Sequence, residues 1–145
     1  MAENGQTEMV TLTIDGEEVT VPRGTTLLKA AESVGTKVPH YCYHDGLSSP
    51  AMCRLCLVEV EGAPKLQPSC VTPAMPDQVV HTASEKAESM RRGVLEFYLV
   101  NHPLDCPVCD QAGECHLQDY SYQFGSSTSR MVDQKHVNPK KDVGP

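Results

Sequence analysis

The sequence contains no tryptophan and only two phenylalanines among 145 residues. Aromatic burial therefore supplies little cohesion. A chain of this length, one ordinary domain or two very small ones, gains from a second cohesive agent such as a metal centre. Long apolar runs are also missing. The best, residues 93–100, is broken by Glu96, which argues against a helical membrane span. Residues 1–8 are polar and lack the apolar core of a secretory signal. Basic residues are in deficit, and the formal net charge is −7. That disfavours nucleic acid as a partner, because phosphate binding wants a basic face. No Gly-x-Gly-x-x-Gly, phosphate-cradling loop or nucleophile motif occurs, so nothing indicates a flavin or nicotinamide site.

Cysteine is abundant by contrast. Seven in a chain this size is high, and an odd count argues against disulfides closed within the chain. With no signal segment, the expectation is an intracellular protein in which clustered thiols mean metal. Four thiols lie between Cys42 and Cys70: a lone Cys42, the C-x2-C pair Cys53 and Cys56, then thirteen residues and Cys70. Gly46, Ser48, Ser49 and Pro50 form turns in the intervening loop, and a glycine-containing loop can aim backbone N–H groups at an anionic cluster. Soft thiolates in this number select zinc or iron–sulfur. The paired C-x2-C zinc signature needs its second pair much closer than Cys106 and Cys109 lie. One lone Cys, a pair and a distant fourth is the order of plant-type [2Fe–2S] binding, so spacing favours iron–sulfur and leaves zinc as the alternative.

The second group reads His102-x3-Cys106-x2-Cys109-x5-Cys115. Three thiols need a fourth ligand. His102, at a helix end and fixed by Pro103, is the candidate, with His116 and Asp105 as rivals; without further evidence a lone histidine at a helix end reads as a cap or surface group. Adjacent residues in extended structure point apart, which disfavours His116 beside Cys115. Three Cys and one His fit structural zinc or [4Fe–4S]. The remaining histidines, His40, His44, His81 and His136, lack ligand spacing; His40 and His44 flank Cys42.

Around these groups the chain reads as α+β. Val10, Leu12 and Ile14 alternate as a strand, and Asp15-Gly16 signals a hairpin into a second strand over residues 17–21. Thr25 or Thr26 caps a helix through Val34, closed by Gly35. After the cysteine loop, residues 56–61 and 79–82 read as strands, with a short return over 65–69. Thr82-Ala83-Ser84-Glu85 fits a capping box. Ala87, Met90, Val94, Phe97 and Tyr98 then recur at helical spacing, a stripe expected to face a core. A short helix is expected over residues 115–123. Residues 125–145 are polar and read as a loop, linker or tail, with Lys140-Lys141 solvated. The expected domains are 1–82, 83–124 and a linker over 125–145.

Several of these segments carry a resemblance. Val38-Pro39-His40-Tyr41-Cys42-Tyr43-His44, Met52-Cys53-Arg54-Leu55-Cys56-Leu57-Val58-Glu59-Val60, Arg92-Gly93-Val94-Leu95-Glu96-Phe97 and the run from Asn101-His102-Pro103 to Gly113-Glu114-Cys115 resemble the N-terminal part of the large iron–sulfur subunit of NADH:quinone oxidoreductase, respiratory complex I. The resemblance covers the chain from about residue 9 onward. It implies a β-grasp, ferredoxin-like domain with one [2Fe–2S] cluster on Cys42, Cys53, Cys56 and Cys70. It further implies a small helical domain with one [4Fe–4S] cluster on His102, Cys106, Cys109 and Cys115. His116 stands where the family usually has an acidic residue. Family members continue into further cluster-binding cysteines and a large molybdopterin-oxidoreductase-like domain, before which this chain stops. The implied function is single-electron relay between a flavin-containing partner subunit and further clusters, with no complete active site in this chain. The implied location is cytoplasmic, peripheral to the inner membrane through the complex. The module is also similar to the electron-input region of iron-only hydrogenases and some formate dehydrogenases. A zinc-stabilised interaction module without redox role is the reading from another class.

Overall fold

In the computed structural model, residues 8–137 and 139 are described. Part of the frayed end expected over residues 1–8, and the Lys140-Lys141 pair, lie outside them. The chain divides into two compact units, residues 1–91 and 92–145.

The first unit begins with the hairpin. Strand β1 (Met9–Ile14) pairs antiparallel with β2 (Glu17–Pro22), with Leu12 opposite Val19. Alternation buries Val10, Leu12 and Ile14 from one strand and Val19 and Val21 from the other. The turn places Asp15 at φ 49° and Gly16 at φ 90°, the left-handed pair that a two-residue hairpin requires. Helix α1 (Leu27–Ser33) follows. Thr26 caps it, its Oγ1 accepting from Lys29 N at 3.4 Å, and Gly35 closes it at φ 81°, its N–H donating to Glu32 O. Leu27, Leu28, Ala30 and Ala31 enter the same core as the strands.

Three short strands complete the sheet: β3 (Leu57–Val60), β4 (Gln67–Pro68) and β5 (Val79–His81). The order is β2-β1-β5-β3-β4, with β5 parallel to β1 and antiparallel to β3. A mixed sheet with one helix on its core is the α+β arrangement expected. Asp15 closes it at one end: its carboxylate accepts from Thr82 N at 2.7 Å and from the Thr82 hydroxyl. The loop after β1 is thereby joined to the residue after β5.

Helix α2 (Glu85–Leu99) crosses the division between the units, and two expectations fail on it. Its N-terminal cap is Ser84, whose Oγ accepts from Ala87 N at 3.3 Å, rather than Thr82. The Thr82 hydroxyl is already committed to Asp15. The buried line is Ala87, Arg91 and Leu95, whereas Met90 and Phe97 are exposed. This i, i+4, i+8 row is obscured in the sequence because its middle member is an arginine, whose aliphatic stem buries as readily as an apolar residue.

In the second unit, residues 106–108 form a single 3₁₀ turn and α3 spans His116–Phe124. Residues 130–136 return to the last turn of α2. Arg130 forms a bidentate pair with Glu96 at 2.6–2.7 Å, Lys135 Nζ donates to Leu99 O at 2.6 Å, and His136 N donates to Asn101 Oδ1 at 2.9 Å. Lys135 thus satisfies a carbonyl at the helix C-terminus, where a cation is favoured.

Asp15→Ala is expected to destabilise the first unit by about 1–3 kcal/mol, because a buried threonine N–H and hydroxyl lose their acceptor. Asp15→Asn, which tolerates the left-handed turn and keeps one acceptor, should lose less. Denaturant titration followed by circular dichroism checks both; an Ala variant as stable as the parent contradicts the role given to Asp15.

Candidate iron–sulfur sites

The first site forms where a loop, a strand start and a helix start meet. Cys53 and Cys56 lie just before β3. Cys70 is set next to Cys56 by a chain of backbone bonds: Ser69 N donates to Cys56 O at 3.0 Å, and Leu28 N, in the first turn of α1, donates to Ser69 O at 3.0 Å. Cys53, Cys56 and Cys70 are buried and Cys42 is half-buried.

Donors surround the sulfurs. Tyr41 N donates to Cys53 Sγ at 3.4 Å, Cys53 N to Cys42 Sγ at 3.5 Å, and Ser49 Oγ to Cys70 Sγ at 3.3 Å. The backbone at Leu55 also favours thiolate on Cys53, and that at Cys70 favours it on Cys56. Gly46, expected to turn the loop, lies in a turn in which Leu47 N donates to His44 O at 3.1 Å, without adopting positive φ. That conformation falls instead on Ala51 at 51° and Arg54 at 58°. Left-handed non-glycine residues cost of order 1–3 kcal/mol each, and here they bracket Cys53 in a loop whose amides face sulfur.

The thiols are not equivalent. The Cys56 thiol donates to Cys53, and with backbone N–H donors this pulls Cys53 down to about 4 against the opposing effect of burial. Cys56 is pushed up by sharing its proton with Cys53 and by burial. Thiolate, the form that binds metal, is thus favoured on Cys53, with the shared proton left on Cys56. Ser69 adds a fully buried hydroxyl without a hydrogen-bond partner among the described residues, next to Cys70. Four gathered thiols, amide and hydroxyl donors aimed at sulfur and an uncommitted buried hydroxyl fit a thiolate-ligated anionic cluster.

A charged strut steadies the exposed side of this loop. Lys29 of α1 contacts Asp45 at 2.6 Å and Glu32 at 2.8 Å and lies 5.7 Å from the Tyr43 ring centre, while Tyr43 OH donates to Asp45 at 2.9 Å. Hydrogen bonds from Lys29 and then Tyr43 hold the Asp45 carboxyl below its usual range.

The second group is more open. His102 follows the end of α2, its N–H donating to Leu99 O at 3.2 Å, and Pro103 prevents the helix from continuing. Cys106 opens the 3₁₀ turn, Cys109 ends it, and Cys115 sits at the N-cap of α3. Gly113, at φ 89°, reverses the chain between them. His102, Cys106 and Cys109 are exposed and Cys115 half-buried. His116 stacks on Tyr120 at 5.8 Å along its own helix and faces Asp119 at 3.8 Å. In neither group do three His, Cys, Asp or Glu donors converge on one ion position among the described residues. A two-iron cluster divides four thiolates between its irons and does not require such convergence. The donor set of the second group, three thiols and an imidazole on turns around Gly113, matches in chemistry what a four-iron cluster takes.

Comparison with known proteins agrees with this division. Residues 7–85 match the 2Fe-2S iron-sulfur cluster binding domain, and residues 91–130 match the NADH-ubiquinone oxidoreductase-G iron-sulfur binding region. The cofactors are accordingly one [2Fe–2S] and one [4Fe–4S] cluster. The chain is 47% identical over 137 residues to the G-type subunit of the NADH-quinone oxidoreductase of Rickettsia bellii, covering 94% of this chain and 20% of that protein. It is 46% identical over 138 residues to the mitochondrial NADH dehydrogenase [ubiquinone] iron-sulfur protein 1 of Solanum tuberosum, covering 95% and 19%. The chain thus spans about a fifth of the length of these curated relatives. Among solved structures, NAD+-reducing [NiFe]-hydrogenase in the H2-reduced state matches with a TM-score of 0.74 and 34% identity, over 88% of this chain and 55% of that one.

The two units differ in what holds them. The first has a continuous apolar core, whereas the second buries one apolar side chain, Leu95, among its described residues. Metal binding then supplies folding free energy in the second unit. Removing iron with a chelator under anaerobic conditions is expected to abolish amide protection over residues 102–124 while β1, β2 and α1 keep theirs. Hydrogen exchange read by mass spectrometry checks this; unchanged protection over 102–124 contradicts it.

Proposed function

The chain belongs to the 2Fe-2S iron-sulfur cluster binding domain family, and from this we propose that it is an electron-relay module of an NADH:quinone oxidoreductase. The observation that carries the reading is the gathering of Cys42, Cys53, Cys56 and Cys70 among amide and hydroxyl donors. These four hold the [2Fe–2S] cluster, and His102, Cys106, Cys109 and Cys115 hold the [4Fe–4S] cluster. When bound, the clusters supply acceptance and release of single electrons. The chain's residues anchor the irons, shield the first site from water and stabilise negative sulfur through hydrogen bonds.

The finer fold assignment, supported by the sheet order and the helix on its core, is a β-grasp, ferredoxin-like domain. Domain limits of 1–82 and 83–124, with 125–145 leading onward, accompany it. Electrons pass between a flavin-containing partner subunit and further clusters of the assembly. The chain acts at the cytoplasmic face, peripheral to the inner membrane through the complex. Among the described residues no helix is long and apolar enough to cross a membrane. The hydrogenase likeness supports a second reading, the same module as electron input to a hydrogenase. Identities of 46–47% to the quinone oxidoreductase subunits favour the first.

Iron, sulfide and zinc analysis of anaerobically purified protein, with electron paramagnetic resonance after reduction, tests the reading. Two distinct reduced signals are expected. Stoichiometric zinc without sulfide, persisting after cluster reconstitution, would replace it with a structural zinc module. Cys53→Ser should abolish the two-iron signal and spare the other, because the ligand sets are separate. His102→Ala should damage only the four-iron signal; a normal spectrum there moves the ligand to His116 or Asp105.

A further inference from the structure

Arg91 is the one buried charged side chain among the described residues, 4% exposed on a helix whose neighbouring large apolar side chain Met90 lies in solvent. Its Nη2 donates to Thr82 O at 3.0 Å. Thr82 is itself held by Asp15, so the guanidinium has a fixed seat. That seat lies beside the first site. β3 pairs with β5 as Glu59 opposite His81 and Val60 opposite Val80. One step further in this register sets Thr82 opposite Val58, two residues after Cys56. Burial pulls the Arg91 guanidinium down, and Glu88, one helical turn before it, and then Cys56 of the first site oppose that effect. Placing a guanidinium in a protein interior is costly without a compensating anion. Arginine stays protonated there.

We propose that Arg91 is a positioning charge for the [2Fe–2S] cluster: a permanent cation on the Cys56 side that raises the cluster's reduction potential. The inference rests on the assignment of Cys42, Cys53, Cys56 and Cys70 as the cluster's ligands. The sign follows from charge. Two ferric ions, two sulfides and four thiolates make a dianion, and one added electron makes a trianion. A nearby cation stabilises the trianion more, which favours reduction. In a buried setting the attraction is weakly screened, so it persists at high salt.

The test is a potentiometric titration of the 145-residue chain carrying both clusters, following each cluster's resonance signal. Arg91→Lys keeps the charge. Arg91→Gln removes it but keeps a donor for the Thr82 carbonyl, and Arg91→Met removes it but keeps the packing. The neutral variants are expected to make reduction of the two-iron cluster at least tenfold less favourable, about 59 mV for one electron. Arg91→Lys should stay nearer the parent, and the four-iron cluster serves as internal reference. A neutral variant with a normal two-iron signal at the parental potential overturns the proposal and leaves Arg91 as a structural anchor. Loss of the two-iron cluster from both neutral variants, with retention in Arg91→Lys, also overturns it, by giving the charge a role in assembly instead. Absence of a two-iron signal from the parent chain is a different failure, that of the ligand assignment itself.

Discussion

Negative sulfur confined in a small buried volume is the constraint on which the first unit depends. A thiolate removed from water is unstable unless donors replace its hydration. The loop supplies them from its backbone, at Tyr41 and Cys53, and around Cys53 its shape includes the left-handed conformations of Ala51 and Arg54. Side chains then add a hydroxyl from Ser49. The scaffold's part is to bring Cys70 back from a distant point in the chain, which it does through the Ser69 bridge between the start of β3 and the first turn of α1. The apolar core of sheet and helix keeps those two anchor points fixed relative to each other.

The second unit solves its cohesion differently. With little buried apolar surface of its own, it relies on polar ties: Arg130 to Glu96, Lys135 to the last carbonyls of α2, and Asn101 to the backbone of His136. Leu104, Val108, Tyr122 and Val132 remain exposed. Exposed ion pairs contribute little, typically about 0–1 kcal/mol each. Metal–ligand bonds are therefore the strongest cohesive agent available to residues 102–124. The scarcity of aromatics and the abundance of cysteine describe the same property of this part of the chain.

The parts of this architecture that follow from local chemistry are legible in the sequence. Alternation in β1, the Asp15-Gly16 turn and the Thr26-to-Gly35 limits of α1 each depend on a few adjacent residues. Both cysteine groups announce themselves by spacing. What stays hidden depends on long-range partners. Thr82 matches a capping box in sequence, but Asp15, 67 residues away, takes its hydroxyl and leaves the cap to Ser84. The stripe on α2 misleads because hydrophobicity gives no credit to an arginine, although Arg91 occupies the buried row between Ala87 and Leu95. Left-handed Ala51 and Arg54 carry no sequence signal at all. The return of residues 130–136 to α2 is likewise invisible, since each of its bonds uses a side chain reaching across 34–36 positions.

The two sites also imply two ways of setting a reduction potential. In the first, all proposed ligands are thiolates, so ligand choice confers no adjustment. Low polarity around a buried anionic cluster opposes the added electron, and amide donors, the Ser49 hydroxyl and the Arg91 guanidinium favour it. The potential is then a balance struck by residues that bind no iron. In the second, solvent reaches the ligands and screens distant charges, so the same devices are weak there. Exchange of one thiolate for a neutral imidazole, as proposed for His102, changes the charge at the cluster itself and survives that screening. A buried site is thus tuned by its surroundings and an exposed site by its ligands.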